Sequence, residues 1–492
     1  MKDILLIQAP SRLQQLQRLK TRRPEMDAPL PLIYLAPYLL NAGFSVEIID
    51  LRIDGVAALE EYLRKRKPLL AGLSVMPGSM LRSTIALSRR IKSISTETKV
   101  IWGGTFPSLH YEICVGVPEV DFVGCGDGEL TLTELAQALA ESPDRSDFRD
   151  ISGLAYRRDG KAVVTPARGP VDIDRNPVGA WHLVDKYMHR YLGDTGVISI
   201  NTARGCPYTC SFCYNTVLYP GFKRYRTKSI AAVMEEVKYL NGKYPLQRLL
   251  FMDDDFLAHR SRGLHLLTAI HRAYPHLRSR IDARVDEVKD VQFTGQLKEL
   301  GLESVFFGVE GVSGEFLERI RKGCDTNDAI EAATACAKFD IAGTYSFTCG
   351  YPDETISDLF DRVSLSQLIK KIHPRSRCQI EIISPILGTP LFAQLQQRQM
   401  VPELRPDNWT HFSDWKSAKN KPWIKDGRFY EAFQLAFFLA FSTSVGTDGD
   451  LRPVTRWLSL WSRNRLGRVR RDLPEYRLGN YILKKMIWGL DA

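Results

Sequence analysis

Short apolar runs alternate with helical stretches over two separate blocks of this sequence, and that rhythm restricts the fold more than any other feature. In the first block "DILLIQ" (Asp3 to Gln8), "SVEIIDL", "LLAGLSV", "KVIWGG" and "VDFVGCG" read as strands. "LIYLAPYLLNAG", "VAALEEYLRKR" and "SMLRSTIALSRRIKSI" have helical apolar spacing and lie between them. A crossover of that length is what parallel pairing needs and a tight hairpin does not. The pattern predicts an α/β fold, a doubly wound Rossmann-like sheet over residues 1–141. Ligands of such sheets sit at the carboxyl ends of the strands. Here those ends read "APSR", "SVMPGS", "GGTFPS" and "GCGDGE", whose small residues would admit a large ligand close to the backbone. The same residues also serve ordinary turns.

From 142 to 192 the rhythm breaks. "YRRDGKAVVTPARGPVDIDRNPVGAW" holds several prolines and a hairpin signal at Asp159-Gly160, which predicts a linker with a small β-hairpin. Alternation resumes over 193–395, with strand candidates "VISIN", "RLLFM", "RIDAR", "ESVFFG", "TYSFTC" and "CQIEII". Six successive βα units predict a second parallel sheet, a partial (β/α)6 barrel whose chemistry gathers at the carboxyl ends of its strands. Residues 396–492 read as a helical, tryptophan-rich region.

The composition is that of a soluble protein, 44% hydrophobic and 25% charged. The opening "MKDILLIQAP" lacks the charged n-region and cleavage site of a signal peptide, and "AFQLAFFLAF" (Ala432 to Phe441) is too short to span a bilayer. A cytoplasmic location is expected, where clustered cysteines bind metal or act in redox rather than form a disulfide framework. The net charge is +10, with much of the excess in "TRWLSLWSRNRLGRVRR" after Leu451. That run reads as a solvated helix face; a lid over an acidic substrate and peripheral contact with an anionic membrane are the alternatives.

Three of the nine cysteines fall within "RGCPYTCSFCYN", at Cys206, Cys210 and Cys213, just after the first strand of the second block. A structural zinc wants four protein ligands, so zinc here would need a distant fourth. A disulfide would strand the third thiol. A [4Fe–4S] cluster fits better, since three thiolates hold three irons and leave the fourth open to a substrate or cofactor.

This C-x3-C-x2-C loop, with Phe212 before its last cysteine, resembles that of the radical S-adenosylmethionine (SAM) enzymes, in the branch with an N-terminal cobalamin-binding domain. "FMDDDF" (Phe251 to Phe256) resembles the F-x-D-D-x-F of that branch. "FFGVEGVS" with "IRKG" resembles its G-x-E-S-x-S and following lysine, giving Glu310 and Lys322, although Gly311 stands where Ser is usual. "CGYPDET", "ISPILGTPLF" (Leu387 replacing a proline) and "DIDRNPVGAWHLV" resemble further signatures of the branch, so the likeness covers residues 1–395. It implies that Cys206, Cys210 and Cys213 hold the cluster and that SAM chelates the open iron and is cleaved to a 5′-deoxyadenosyl radical. It also implies that Asp254 or Asp255 meets the amine of SAM, Arg284 its carboxylate and Glu310 its ribose, with Phe212 beside them.

The cobalamin domain usually carries D-x-H-x-x-G in its first loop. Here that loop, "QAPSRLQQLQR", has no histidine. Ser74 and Met76 in "SVM" resemble the S-x-L of the domain, Gly103-Gly104 its G-G, and Gly126 and Glu129 in "GCGDGELTLTEL" its closing stretch. The resemblance implies cobalamin bound without a histidine ligand (His-off). The expected activity is methyl transfer from methylcobalamin to an unactivated carbon of a small-molecule or peptide substrate, with flavodoxin or ferredoxin as electron donor. Cobalamin-dependent cyclisation or rearrangement is the alternative within the family. A nucleic-acid-binding protein with a structural metal is the alternative outside it, and it lacks any supporting motif, so no nucleic-acid partner is expected.

Overall fold

The structure is a computed structural model that describes residues 3–10, 26–76, 80–176, 178–219, 221–401 and 421–424, with single positions at 429, 432, 433 and 436. The expectations for the basic run after Leu451, for most of "AFQLAFFLAF" and for five of the six C-terminal tryptophans lie outside these residues. No helix among the described residues is long and apolar enough to cross a membrane.

The first sheet begins with β1 (Asp3–Gln8), β2 (Ser45–Asp50), β3 (Leu70–Ser74), β4 (Lys99–Gly103) and β5 (Phe122–Gly124), all paired in parallel. Its full order is β2-β1-β3-β4-β5-β6-β7, the last two being β6 (Leu154–Arg158) and β7 (Lys161–Val164). These two form the hairpin foreseen at Asp159-Gly160. Both turn residues have positive φ, 50° and 76°, as a two-residue primed turn requires. The hairpin does not stand apart in the linker; β6 pairs antiparallel with β5 and extends the first sheet.

Helices cover both faces, so the strands are apolar on both. Ile4 and Leu6 of β1 join one core cluster, while Leu5 and Ile7 join the other. The first cluster runs through the helices Leu30–Asn41 and Gly128–Glu141 into the interior of the second domain. The second receives Phe392, Leu395 and Trp423 from beyond the last strand of the chain.

The second sheet is β8 (Val197–Ile200), β11 (Arg248–Phe251), β12 (Arg278–Arg284), β13 (Leu302–Glu310), β14 (Ala342–Cys349) and β15 (Arg377–Ile382), parallel and in sequential order. Helices such as Ile230–Lys243 and Arg260–Ala273 connect them, and the first and last strands do not pair, so the barrel stays open. A two-residue ladder, β9 (Ala203–Arg204) with β10 (Arg226–Thr227), brackets the cysteine loop.

Glu236, on the helix after β8, is wholly buried at the junction of the two sheets. Its Oε2 accepts from the Tyr34 hydroxyl at 3.1 Å and Lys228 Nζ at 2.9 Å, and its Oε1 from Trp181 Nε1 at 2.9 Å and the Gly179 amide at 3.3 Å. One carboxylate thus ties the first domain, the linker and the second domain. Removing one partner of a buried pair leaves the other uncompensated, so Glu236→Ala is expected to cost roughly 3–5 kcal/mol. Denaturant unfolding measures this, and a loss below about 1 kcal/mol, the scale of an exposed pair, would contradict it.

Candidate active site

The cysteine loop leaves β8 and is pinned on all sides. Asp253, buried at the end of β11, accepts from the amides of Thr202 at 2.6 Å and Ala203 at 2.9 Å. Asp254 accepts from the Gly205 amide at 3.1 Å and from the Tyr214 hydroxyl. Gly205 has φ 75°, and a Cβ there would stand 2.1 Å from the Arg224 carbonyl oxygen, so only glycine fits. Further along, the Ser211 amide donates to Ile320 O at 2.8 Å, and the Leu391 amide to Ser211 O at 3.0 Å.

Cys213 lies near enough to raise the Cys206 thiol and is itself raised by Cys210. No three such side chains among the described residues are close enough to hold a single metal ion, so a multi-iron cluster rather than one ion is the centre they could serve. Burial pushes Cys206 up to about 12 and Cys213 up to about 11. It raises Cys210 too, against the opposing pull of Lys322 and Arg284. Buried thiols on one rigid loop become thiolates when a cationic metal centre compensates them. The donor set therefore fits an iron–sulfur cluster.

The three consecutive aspartates are separated by role. Asp253 and Asp254 hold the loop. Asp255 is buried and its Oδ1 has no hydrogen-bond partner. Burial, with the Glu287 carboxylate beside it, pushes Asp255 up to about 9. Arg284, at the end of β12, donates through Nε to Asp286 Oδ1 at 3.0 Å and lies 4.1 Å over the Tyr208 ring. Its Nη1 is also buried without a partner. An unpaired buried carboxylate oxygen and guanidinium nitrogen are costly, and here they suit a ligand with an amine and a carboxylate.

Glu310 ends β13 with φ 69°, past an irregularity in the pairing with β14. Its carboxylate accepts from Lys322 Nζ at 3.3 Å and the Thr348 hydroxyl at 2.9 Å, while Arg362 Nε donates to its backbone oxygen at 3.1 Å. Gly308 makes room for this pair: a Cβ there would stand 2.8 Å from Glu310 Oε1 and 2.9 Å from Lys322 Nζ. Phe212 is half-buried, its ring 6.2 Å from Tyr351 in an apolar cluster with Phe316, Ile320 and Leu391. The structure also explains Gly311. A Cβ at that position would meet the Phe316 ring at 2.3 Å, so the aromatic occupies the space a serine would need.

A second site lies at the carboxyl ends of the first sheet. Ser74, Gly103, Gly104, Gly126 and Glu129 all line one cleft of about 310 Å3; Met76 does not, and is 50% exposed. Gly104 and Gly126 have positive φ, and Ser108 Oγ joins their turns, accepting from the Gly126 amide at 2.9 Å and donating to Gly104 O at 2.7 Å. Deeper in, Leu6, Leu35, Ile101 and Leu132 face Gly72 in an apolar slot between sheet and helices. The opposite wall belongs to the second domain: Asn201, Arg204, Gly205, Tyr214 and Asp254. No histidine is among the described residues that line it. Asp253, Tyr208 and Glu287 were not foreseen from sequence. Tyr208 was visible between the cysteines, but its partners come from β12 and beyond.

Residues 27–136 match the B12 binding domain, and residues 200–365 match the radical SAM superfamily. The chain thus carries a radical SAM domain with a B12 binding domain ahead of it. It is 29% identical to an uncharacterised methyltransferase of Pyrococcus horikoshii, over 74% of this chain and 77% of the relative. It is 24% identical to the anaerobic magnesium-protoporphyrin IX monomethyl ester cyclase of Synechocystis, over 82% of this chain and 80% of that one. The radical SAM methyltransferase TsrM from Kitasatospora setae, solved with cobalamin and a [4Fe–4S] cluster, shares the fold with a TM-score of 0.66 at 21% identity, covering 82% of this chain and 80% of that one.

Gly311→Ser, which restores the residue usual in the family, is expected to destabilise by about 1–3 kcal/mol through overpacking against Phe316. Adding Phe316→Leu should recover part of the loss in thermal unfolding. A neutral Gly311→Ser would refute the packing account.

Proposed function

We propose that this chain is a cobalamin-dependent methyltransferase that places a methyl group on an unactivated carbon of a small-molecule or peptide substrate. The observation that carries this is the shared cleft. One wall is the carboxyl end of the B12 binding sheet, and the other is Arg204, Gly205, Tyr214 and Asp254, which flank the cysteine loop, so the cleft of the first domain opens beside that loop.

When bound, the cluster and SAM supply a carbon-centred radical and cobalamin supplies the methyl group. Cys206, Cys210 and Cys213 hold the cluster. The unpartnered oxygen of Asp255 takes the amine of SAM, and Arg284 Nη1 takes its carboxylate. Asp254, already engaged by Gly205 and Tyr214, orients the loop instead. Glu310, fixed by Lys322 and Thr348, presents its carboxylate to the ribose, and Phe212 packs alongside. Ser74, Gly103, Gly104 and Gly126 bring the backbone close to the corrin, while the slot beside Gly72 takes an apolar-faced extension of it. No histidine is among the described lining residues, so Ser74 and the glycine turns would hold cobalamin without a histidine ligand. An external flavodoxin or ferredoxin supplies the electron, and the enzyme works in the cytoplasm.

Radical cyclisation is the second reading, supported by the likeness to the magnesium-protoporphyrin cyclase. Turnover with methyl-labelled SAM separates the two. Methyl transfer gives labelled product and S-adenosylhomocysteine, whereas cyclisation gives 5′-deoxyadenosine and methionine with no label in the product.

Cys206→Ala, Cys210→Ala and Cys213→Ala should each abolish reductive SAM cleavage, while Cys349→Ala should keep its iron; cleavage surviving in Cys210→Ala would refute the assignment. Added hydroxocobalamin should be retained, and the Co(II) electron paramagnetic resonance spectrum should show no nitrogen superhyperfine splitting. A three-line nitrogen pattern would refute His-off binding.

A further inference from the structure

Arg204 stands two residues before Cys206, yet its guanidinium reaches into the first domain. Its Nη2 lies 2.6 Å from Glu129 Oε1 and its Nη1 3.4 Å from Asp127 Oδ1. Asp127 and Glu129 belong to the "GDGE" turn after β5, and both line the cleft. Asp127 is buried and fully engaged. Its Oδ1 accepts from the Tyr219 hydroxyl at 2.7 Å, and its Oδ2 from Arg226 Nη1 at 2.6 Å and the Val171 amide at 3.0 Å. Arg226 is the ladder partner of Arg204 across β9 and β10, and it stacks 4.8 Å over Tyr219. Although burial acts the other way, Arg204 and Arg226 hold the Asp127 carboxyl below its usual range.

Two arginines from the strands that bracket the cysteine loop therefore converge on two carboxylates of one turn of the cobalamin cleft. In a buried network of this kind, displacing one member leaves a charge uncompensated, so turn and loop shift together or not at all. The guanidinium fork is what lets Arg204 serve both carboxylates; a lysine offers a single point charge.

We propose that Arg204 is a positioning residue that couples the two cofactor sites, so that each cofactor binds more tightly when the other is in place. This rests on the cofactor assignment above. A ligand packed on the Gly126 turn fixes Asp127 and Glu129, these fix Arg204, and Arg204 fixes the strand entering Cys206. Coupling of this kind is reciprocal.

The test is titration with hydroxocobalamin, comparing the full-length chain with its cluster reconstituted and the same chain stripped of iron by a chelator. The wild type should bind at least about fivefold more tightly with the cluster, the lower end of typical coupling between sites. Arg204→Lys should bring the ratio of the two dissociation constants to roughly one, whatever it does to either constant alone, since the coupling free energy is then gone. Should Arg204→Lys fail to fold by circular dichroism, Tyr219→Phe, which loosens Asp127 alone, should still lower the ratio. Equal affinities in the wild type would overturn the proposal. So would an Arg204→Lys variant that weakens binding by the same factor in both states, because Arg204 would then serve the cleft only. A wild type that retains neither cofactor refutes the cofactor assignment itself, and shows it before any ratio is formed.

Discussion

A carboxylate with no access to solvent sets the geometry on which everything else depends. Glu236 accepts four hydrogen bonds, from Tyr34 of the first domain, Gly179 and Trp181 of the linker, and Lys228 beside the cysteine loop. A buried ion pair of this kind adds little net stability over apolar packing, but it tolerates one arrangement and penalises others. Lys228 is itself tied in, its amide donating to Thr202 O at 2.8 Å and its ammonium standing 4.4 Å over the Tyr34 ring. With the domains so oriented, the carboxyl ends of the first sheet face the loop that leaves β8, and the cleft between them follows.

The local consequences of the sequence were legible wherever a residue acts through its own neighbourhood. Strands buried on both faces show as continuous apolar runs, and Asp159-Gly160 announces its own turn. The pairing of that hairpin with β5 is a long-range event that no local signal carries. The same limit governs the site. The cysteine spacing pointed to the donor loop directly, whereas "DDD" could not apportion its three carboxylates. Their separation depends on backbone amides and side chains roughly fifty residues away. Glu129 reads in sequence as a cofactor residue of the first domain; in the structure it lines the cleft and is paired with Arg204 of the second. Gly311 reads as a gap in a motif until Phe316 is seen in its place.

The unsatisfied atoms complete the account. Asp255 Oδ1, in the loop after β11, and Arg284 Nη1, at the end of the neighbouring β12, are buried without partners. Leaving such groups unsatisfied costs free energy, which a ligand with an amine and a carboxylate would recover at these two atoms. Rigid restraint of the loop by Asp253, Asp254 and Ser211 means that the site is built before the cofactor arrives, so little of the binding free energy is spent on ordering it.

Cobalamin and the iron–sulfur cluster are proposed to meet at this junction. Electron paramagnetic resonance on the doubly loaded protein tests it most directly, by measuring the spin relaxation of cob(II)alamin with the cluster oxidised and then reduced. A shared cleft predicts that reducing the cluster speeds relaxation and broadens the cobalt signal through dipolar coupling. A cobalt signal indifferent to the state of the cluster would place the two cofactors apart and contradict the account.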